Sequence, residues 1–87
     1  MNLDRLPPQD IEAEKATLGA ILLENSAMNI TVEILDENDF YRESHKTIYK
    51  TMSELHKRQE AIDLITVVNA LRKDGNLEKV DGIAYIT

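Results

Sequence analysis

The sequence predicts an all-α fold, a compact orthogonal bundle of about five to six short helices. Three observations predict it. Apolar residues recur at helical spacing in separate stretches that open or close on recognisable caps. Only one stretch, Ala27 to Leu35, lets strand-like alternation compete with helical spacing, and the chain offers it no partner strand. The 87 residues, 43% hydrophobic and 30% charged with no cysteine, describe one small domain held by packing without disulfide or thiolate staples. A chain of this length buries roughly 60–65% of its unfolded surface, so the core is thin.

Residues 1–9 read as an extended arm and residues 10–87 as the helical unit. Pro7 and Pro8 cannot sit inside a helix, but they fix an extended approach to one. The first helix begins at about Asp10, whose carboxylate caps the first turn while Glu12 and Glu14 complement the helix dipole. Ile11, Leu18, Ile21 and Leu22 fall on one face of it, and Ala13, Ala16, Ala20 and Leu23 on another. Both faces in the core is the commoner arrangement in a small bundle; a docking face of small residues is the other. A short second helix follows, capped by Ser26, and Asp36 to Asp39 form a loop.

The strongest periodic signal runs from Tyr41 to Arg58. Tyr41, Ile48, Met52 and Leu55 make its apolar stripe, with His45, Tyr49 and His56 along one edge. Arg42, Lys46, Lys50 and Lys57 share a narrow neighbouring sector. After the connector Gln59 to Ile62, Asp63 caps a helix reaching about Asp74, with Leu64, Val67, Val68 and Leu71 inward and Gly75 at its C-terminal stop. A turn of helix at Leu77–Val80, a break at Gly82 and a new helical start at Ile83 complete the chain. Its last residues, Ile83 to Thr87, are an apolar helical start without a polar tail, the expectation for a chain cut inside a longer protein.

Charge and motifs narrow the function. A net charge of −6 opposes coating a polyphosphate backbone, although it leaves room for a local basic stripe. No apolar run approaches the roughly 18–20 residues that span a bilayer, and the N-terminus lacks the apolar core of a secretory signal. The expected partners therefore include no membrane, and the expected location is cytoplasmic. Gly19, Gly75 and Gly82 are the only glycines and none precedes a lysine, so no phosphate-cradling loop exists. His45 and His56 stand about 16 Å apart along one helix, too far to share a metal. Asp74 to Lys79 has oxygen ligands at the first, third and fifth positions of a calcium loop but Lys79 at the sixth, where that loop needs glycine. Asp36 to Phe40 fails at the fifth position. No nucleophile–base pair or carboxylate cleft is legible, and Asn29-Ile30-Thr31 matches a glycosylation sequon without a secretory route. Catalytic, cofactor-binding and metal residues are therefore expected to be none in this chain. Two candidate surfaces remain: a protein interface of Ala13, Ala16, Ala20, Leu23 and Tyr49, and the basic stripe Arg42, Lys46, Lys50 and Lys57. A solvated polar face is the commoner reading of the stripe, and a small nucleic-acid-binding module using it is the alternative.

Leu6-Pro7-Pro8-Gln9-Asp10-Ile11-Glu12-Ala13-Glu14, followed by Leu18-Gly19-Ala20-Ile21-Leu22-Leu23, resembles the opening of the bacterial replicative DNA helicases, the DnaB-type hexameric family. The later segments agree in order and spacing: Asp39-Phe40-Tyr41-Arg42 with His45 and Ile48-Tyr49, Ile62 to Val67, and Leu77-Glu78-Lys79-Val80 with Gly82 and Ala84-Tyr85. The resemblance implies the all-helical head of that family's N-terminal domain, which precedes a helical hairpin, a linker and a RecA-like motor. It implies self-association, as dimers building a hexameric collar, together with contacts to primase and helicase loader. ATP, Mg and DNA belong by the same resemblance to the motor, and none of the motor's catalytic residues has a counterpart here.

Overall fold

The computed structural model describes residues 10–80, so the arm, the break at Gly82 and the helical start at Ile83 lie outside the described residues. Asp10 Oδ1 accepts the Ala13 N–H at 3.2 Å and opens α1 (Ile11–Leu23), as its position ahead of two glutamates leads one to expect. Two tight turns then lead into α2 (Ala27–Ile34). Ser26 does not cap it. Its backbone is already helical, at φ −62° and ψ −19°, and its hydroxyl donates instead to Glu24 Oε2 at 2.7 Å.

The expected loop at 36–39 is a 3₁₀ turn over Glu37–Asp39. Asp36 Oδ1 accepts the Asn38 N–H at 2.7 Å and Asp39 Oδ2 accepts the Asp36 N–H at 2.8 Å, so the acidic run satisfies its own donors. Phe40 then drops into the core at 4% exposure while Tyr41, expected on the buried stripe, stays 61% exposed. The reason is where α3 (Glu43–Lys57) starts: Tyr41 lies ahead of it and does not share its helical phase.

Six side chains of α3 are buried, namely His45, Ile48, Tyr49, Thr51, Met52 and Leu55. They cover an arc of about 160° at 100° per residue, far wider than a surface helix needs. α3 is accordingly the central element, packed against α1, α2, α4 (Leu64–Lys73) and both 3₁₀ turns, the second of which is Leu77–Val80. Leu18 and Ile21 from α1, Met28 from α2, Ile62 from the α3–α4 connector, Val67 and Leu71 from α4, and Val80 from the last turn join Phe40 and α3 in the core. Asp63 opens α4 with a reciprocal box: its Oδ1 accepts the Thr66 N–H, and Thr66 Oγ1 accepts the Asp63 N–H, both at 2.9 Å.

α3 and α4 stop in the same way. After α4 the Gly75 N–H reaches Arg72 O and the Asn76 N–H reaches Leu71 O, with Gly75 at φ 73°. After α3 the Gln59 N–H reaches His56 O and the Glu60 N–H reaches Leu55 O, with Gln59 at φ 60°. The second stop thus uses a left-handed residue that carries a side chain. Asn25 then locks the α3–α4 connector to the end of α1, because its amide donates to Ile62 O at 2.6 Å and its carbonyl accepts the Ile62 N–H at 2.7 Å.

Candidate docking surface

α1 divides as its two faces suggest, but only one is inward. Leu18 and Ile21 are fully buried, whereas Ala13, Ala16, Ala20 and Leu23 are all exposed, Leu23 to 89%. The core closes without this second face, so the arrangement with both faces buried does not hold. α2 adds two side chains that the ambiguous periodicity of its sequence concealed. Ile30 and Ile34, one turn apart, are 66% and 70% exposed. Helical spacing of i and i+4 was the available signal. Side chains exposed to this extent add little to the packing of the core.

The basic residues of α3 point away from the core. Lys46, Lys50 and Lys57 fall within about 40° of one another, centred opposite the buried arc, and Arg42 stands at the N-cap in extended backbone. Lys46 Nζ lies 3.3 Å from Glu43 Oε2. Among the described residues, Arg42, Lys50 and Lys57 make no ion pair.

Two expectations on α3 are corrected. Tyr49 is not an interface residue: it is 1% exposed, its ring lies 4.9 Å from that of Phe40, and its hydroxyl donates to Leu35 O at 3.0 Å. Thr31 O lies 3.3 Å from the same hydroxyl, so the phenol meets backbone carbonyls at the end of α2, which gives a buried hydroxyl the partner it needs. Burial raises its pKa above the ordinary value; the charges of Asp36 and Asp39 add to the rise, and a hydrogen bond with the Ser53 side chain opposes it. His45 is likewise no edge residue. It is fully buried, with Nδ1 2.7 Å from Glu14 Oε1.

Glu14, expected to complement the dipole of its own helix, also reaches across to the start of α3. Its Oε2 accepts the Tyr41 N–H at 2.6 Å and its Oε1 faces the Arg42 N–H at 3.4 Å and the His45 ring. Arg42 makes no side-chain cap, and Glu14 of α1 instead holds the two backbone amides just ahead of α3 from across the fold. An open cleft beside this junction is lined by Asp10, Glu14, Leu35, Asp39, Tyr41 and Lys46 among others. Its only hydroxyl besides Tyr41, that of Thr17, donates to Ala13 O at 2.9 Å. Among the described residues no group of three or more His, Asp or Glu side chains could hold a metal ion, and no helix is long and apolar enough to cross a membrane.

Fold and surface together define a small all-helical domain with a closed core and with apolar and basic side chains directed outward. The chain belongs to the DnaB-like helicase N terminal domain family, whose model matches residues 6–87. It is 52% identical over 84 residues to the replicative DNA helicase DnaC of Bacillus subtilis (strain 168), and 42% identical over 84 residues to the replicative DNA helicase DnaB of Geobacillus stearothermophilus. Both alignments take in 97% of this chain and 18% of the helicase, so the chain spans under a fifth of those relatives. The crystal structure of the N-terminal domain of DnaB helicase from Mycobacterium tuberculosis superposes with a TM-score of 0.85 at 37% identity, over 93% of this chain and 58% of that one. The all-α class and the family resemblance of the sequence both hold.

Proposed function

We propose that this chain is the assembly and docking head of a replicative DNA helicase, the part that joins subunits into a collar and receives primase and loader, and that it carries no catalysis. ATP, Mg and DNA are handled in this reading by a motor domain elsewhere in the helicase, which unwinds the duplex at the fork. The observation that carries it is the exposed apolar face of α1, Ala13, Ala16, Ala20 and Leu23, standing outside a core that is complete without it. Small side chains let a partner helix approach closely, and Leu23 gives it an apolar anchor. Membership of a helicase N-terminal family supports the same reading.

Competition tests it. An excess of this chain added to the full-length helicase and primase of the same organism should reduce primase retained on the helicase, and Ala16→Arg with Ala20→Arg should abolish the effect. Undiminished retention at saturating chain would sink the docking role.

A further inference from the structure

We propose that the basic sector of α3 is a second docking strip, and that its occupant is an acidic helical segment of a partner protein. This rests on the docking reading above and adds a chemistry to it. In a chain with 16 acidic and 10 basic residues, every cation has carboxylates to choose from. Arg42, Lys50 and Lys57 nevertheless make no ion pair among the described residues, although Glu54 lies four residues from Lys50 and three from Lys57. The Arg42 side chain is also a cation at the positive end of a helix, where it opposes the macrodipole and makes no capping hydrogen bond. Residues that break a local rule without a structural gain mark places used for something else.

The geometry selects the occupant. Lys46 and Lys50 are about 6 Å apart along the axis and Lys57 about 10 Å further, all on the side opposite the core. A helix carrying carboxylates every three or four residues repeats at that spacing and can lie along α3 with its charges opposed. A nucleic acid fits less well. It presents one charge per about 1.7 Å and its tight binders make 6–10 phosphate contacts, whereas this strip offers four cations on a chain of net charge −6. Single-strand binders also stack bases on aromatic rings, and the stretch from Lys46 to Lys57 presents no exposed one: Tyr49 is buried beneath Phe40 and the end of α2, while the exposed Tyr41 lies ahead of α3 beside Arg42 alone.

The test uses this chain and three probes: a helical Ala/Gln peptide with glutamate at every fourth position, the same peptide with glutamine in those places, and a single-stranded oligothymidylate. Fluorescence anisotropy at low and moderate salt should show binding of the glutamate peptide that salt weakens. The glutamine peptide and the oligonucleotide should bind far more weakly. Lys50→Glu with Lys57→Glu should lower affinity for the glutamate peptide about tenfold, the sum of two exposed charge contacts each reversed. Lys73→Glu on α4 should leave it unchanged. Lys50→Gln with Lys57→Gln, which removes charge without reversing it, should give an intermediate loss and an unaltered melting curve. Tighter binding of the oligonucleotide than of the glutamate peptide, no binding of the glutamate peptide, or equal affinity of wild type and charge-reversed chain would each overturn the proposal. A chain that competes for primase yet ignores the glutamate peptide loses this strip and keeps its docking role.

Discussion

Glu14 joins three things with one carboxylate: its own helix, the backbone ahead of α3 and the buried His45 ring. A hydrogen bond to a charged group contributes about 1.5–3 kcal/mol, and of the three partners of Glu14 only the His45 ring is buried, the Tyr41 and Arg42 amides being exposed. Glu14→Ala should therefore lower stability by about 1.5–3 kcal/mol in urea titration, and a loss below about 0.5 kcal/mol would show that the junction carries no weight. Leu18 and Met52 are both fully buried, so truncating either to alanine should cost about 2–5 kcal/mol, enough to threaten a domain this small. Unchanged melting temperatures would refute the packing. Tyr49 adds a pH dependence. Its folded-state pKa is raised above the unfolded value of about 10, so its stabilising contribution is complete below that pH and is lost as pH rises through the folded value. The melting temperature should fall more steeply above pH 10 in the wild type than in Tyr49→Phe, and equal slopes would contradict the assignment. Residue-scale facts of this kind were the least legible in the sequence. No local partner marks Glu14 out from the exposed Glu12 two residues earlier, because the partners of Glu14 lie 27 to 31 residues along the chain.

At the scale of elements, legibility followed capping chemistry. α1 and α4 were readable because Asp10, Asp63 and Gly75 act within three residues of the boundary they set. α3 was readable as a helix from its periodicity, yet its start was misplaced by two residues, which put Tyr41 into the core and left Phe40 out. α2 was found for a partly wrong reason, since Ser26 sits at the right place without capping anything. The end of α3 is legible from where its periodicity stops, at Arg58 against an observed Lys57, but the form of its stop is not, because a glutamine occupies the left-handed position that glycine fills after α4. That pair makes a prediction by exchange. A left-handed residue with a Cβ costs about 1–2 kcal/mol, partly offset by the lower unfolded-state entropy of a non-glycine residue. Gln59→Gly should stabilise the domain by about 0.5–1 kcal/mol. Gly75→Ala should destabilise it by a similar amount through backbone conformation alone, since no atom lies within 4 Å of the added Cβ. Shifts of the same sign in the two variants would refute the shared stop.

For the whole molecule, the sequence carried the class and the family more clearly than the surface. Among the described residues twelve apolar side chains form the core, four of them from α3, and the sequence pattern anticipates most of them. Which apolar residues stay outside was hidden, because exposure depends on where the core ends and a single helix cannot report that. Ile30 and Ile34 emerged only from the structure, and Tyr49 moved from the surface to the interior. A finished core with leftover aliphatic side chains leaves apolar surface open to a partner, and the chain belongs to the DnaB-like helicase N terminal domain family. The most direct measurement is an NMR titration of the isotopically labelled chain with the C-terminal domain of primase from the same organism. The account predicts saturable shifts concentrated on the exposed residues of α1, with the amides beneath Leu18 and Met52 unmoved. An unperturbed spectrum at millimolar primase domain, or shifts confined to other faces, would contradict it.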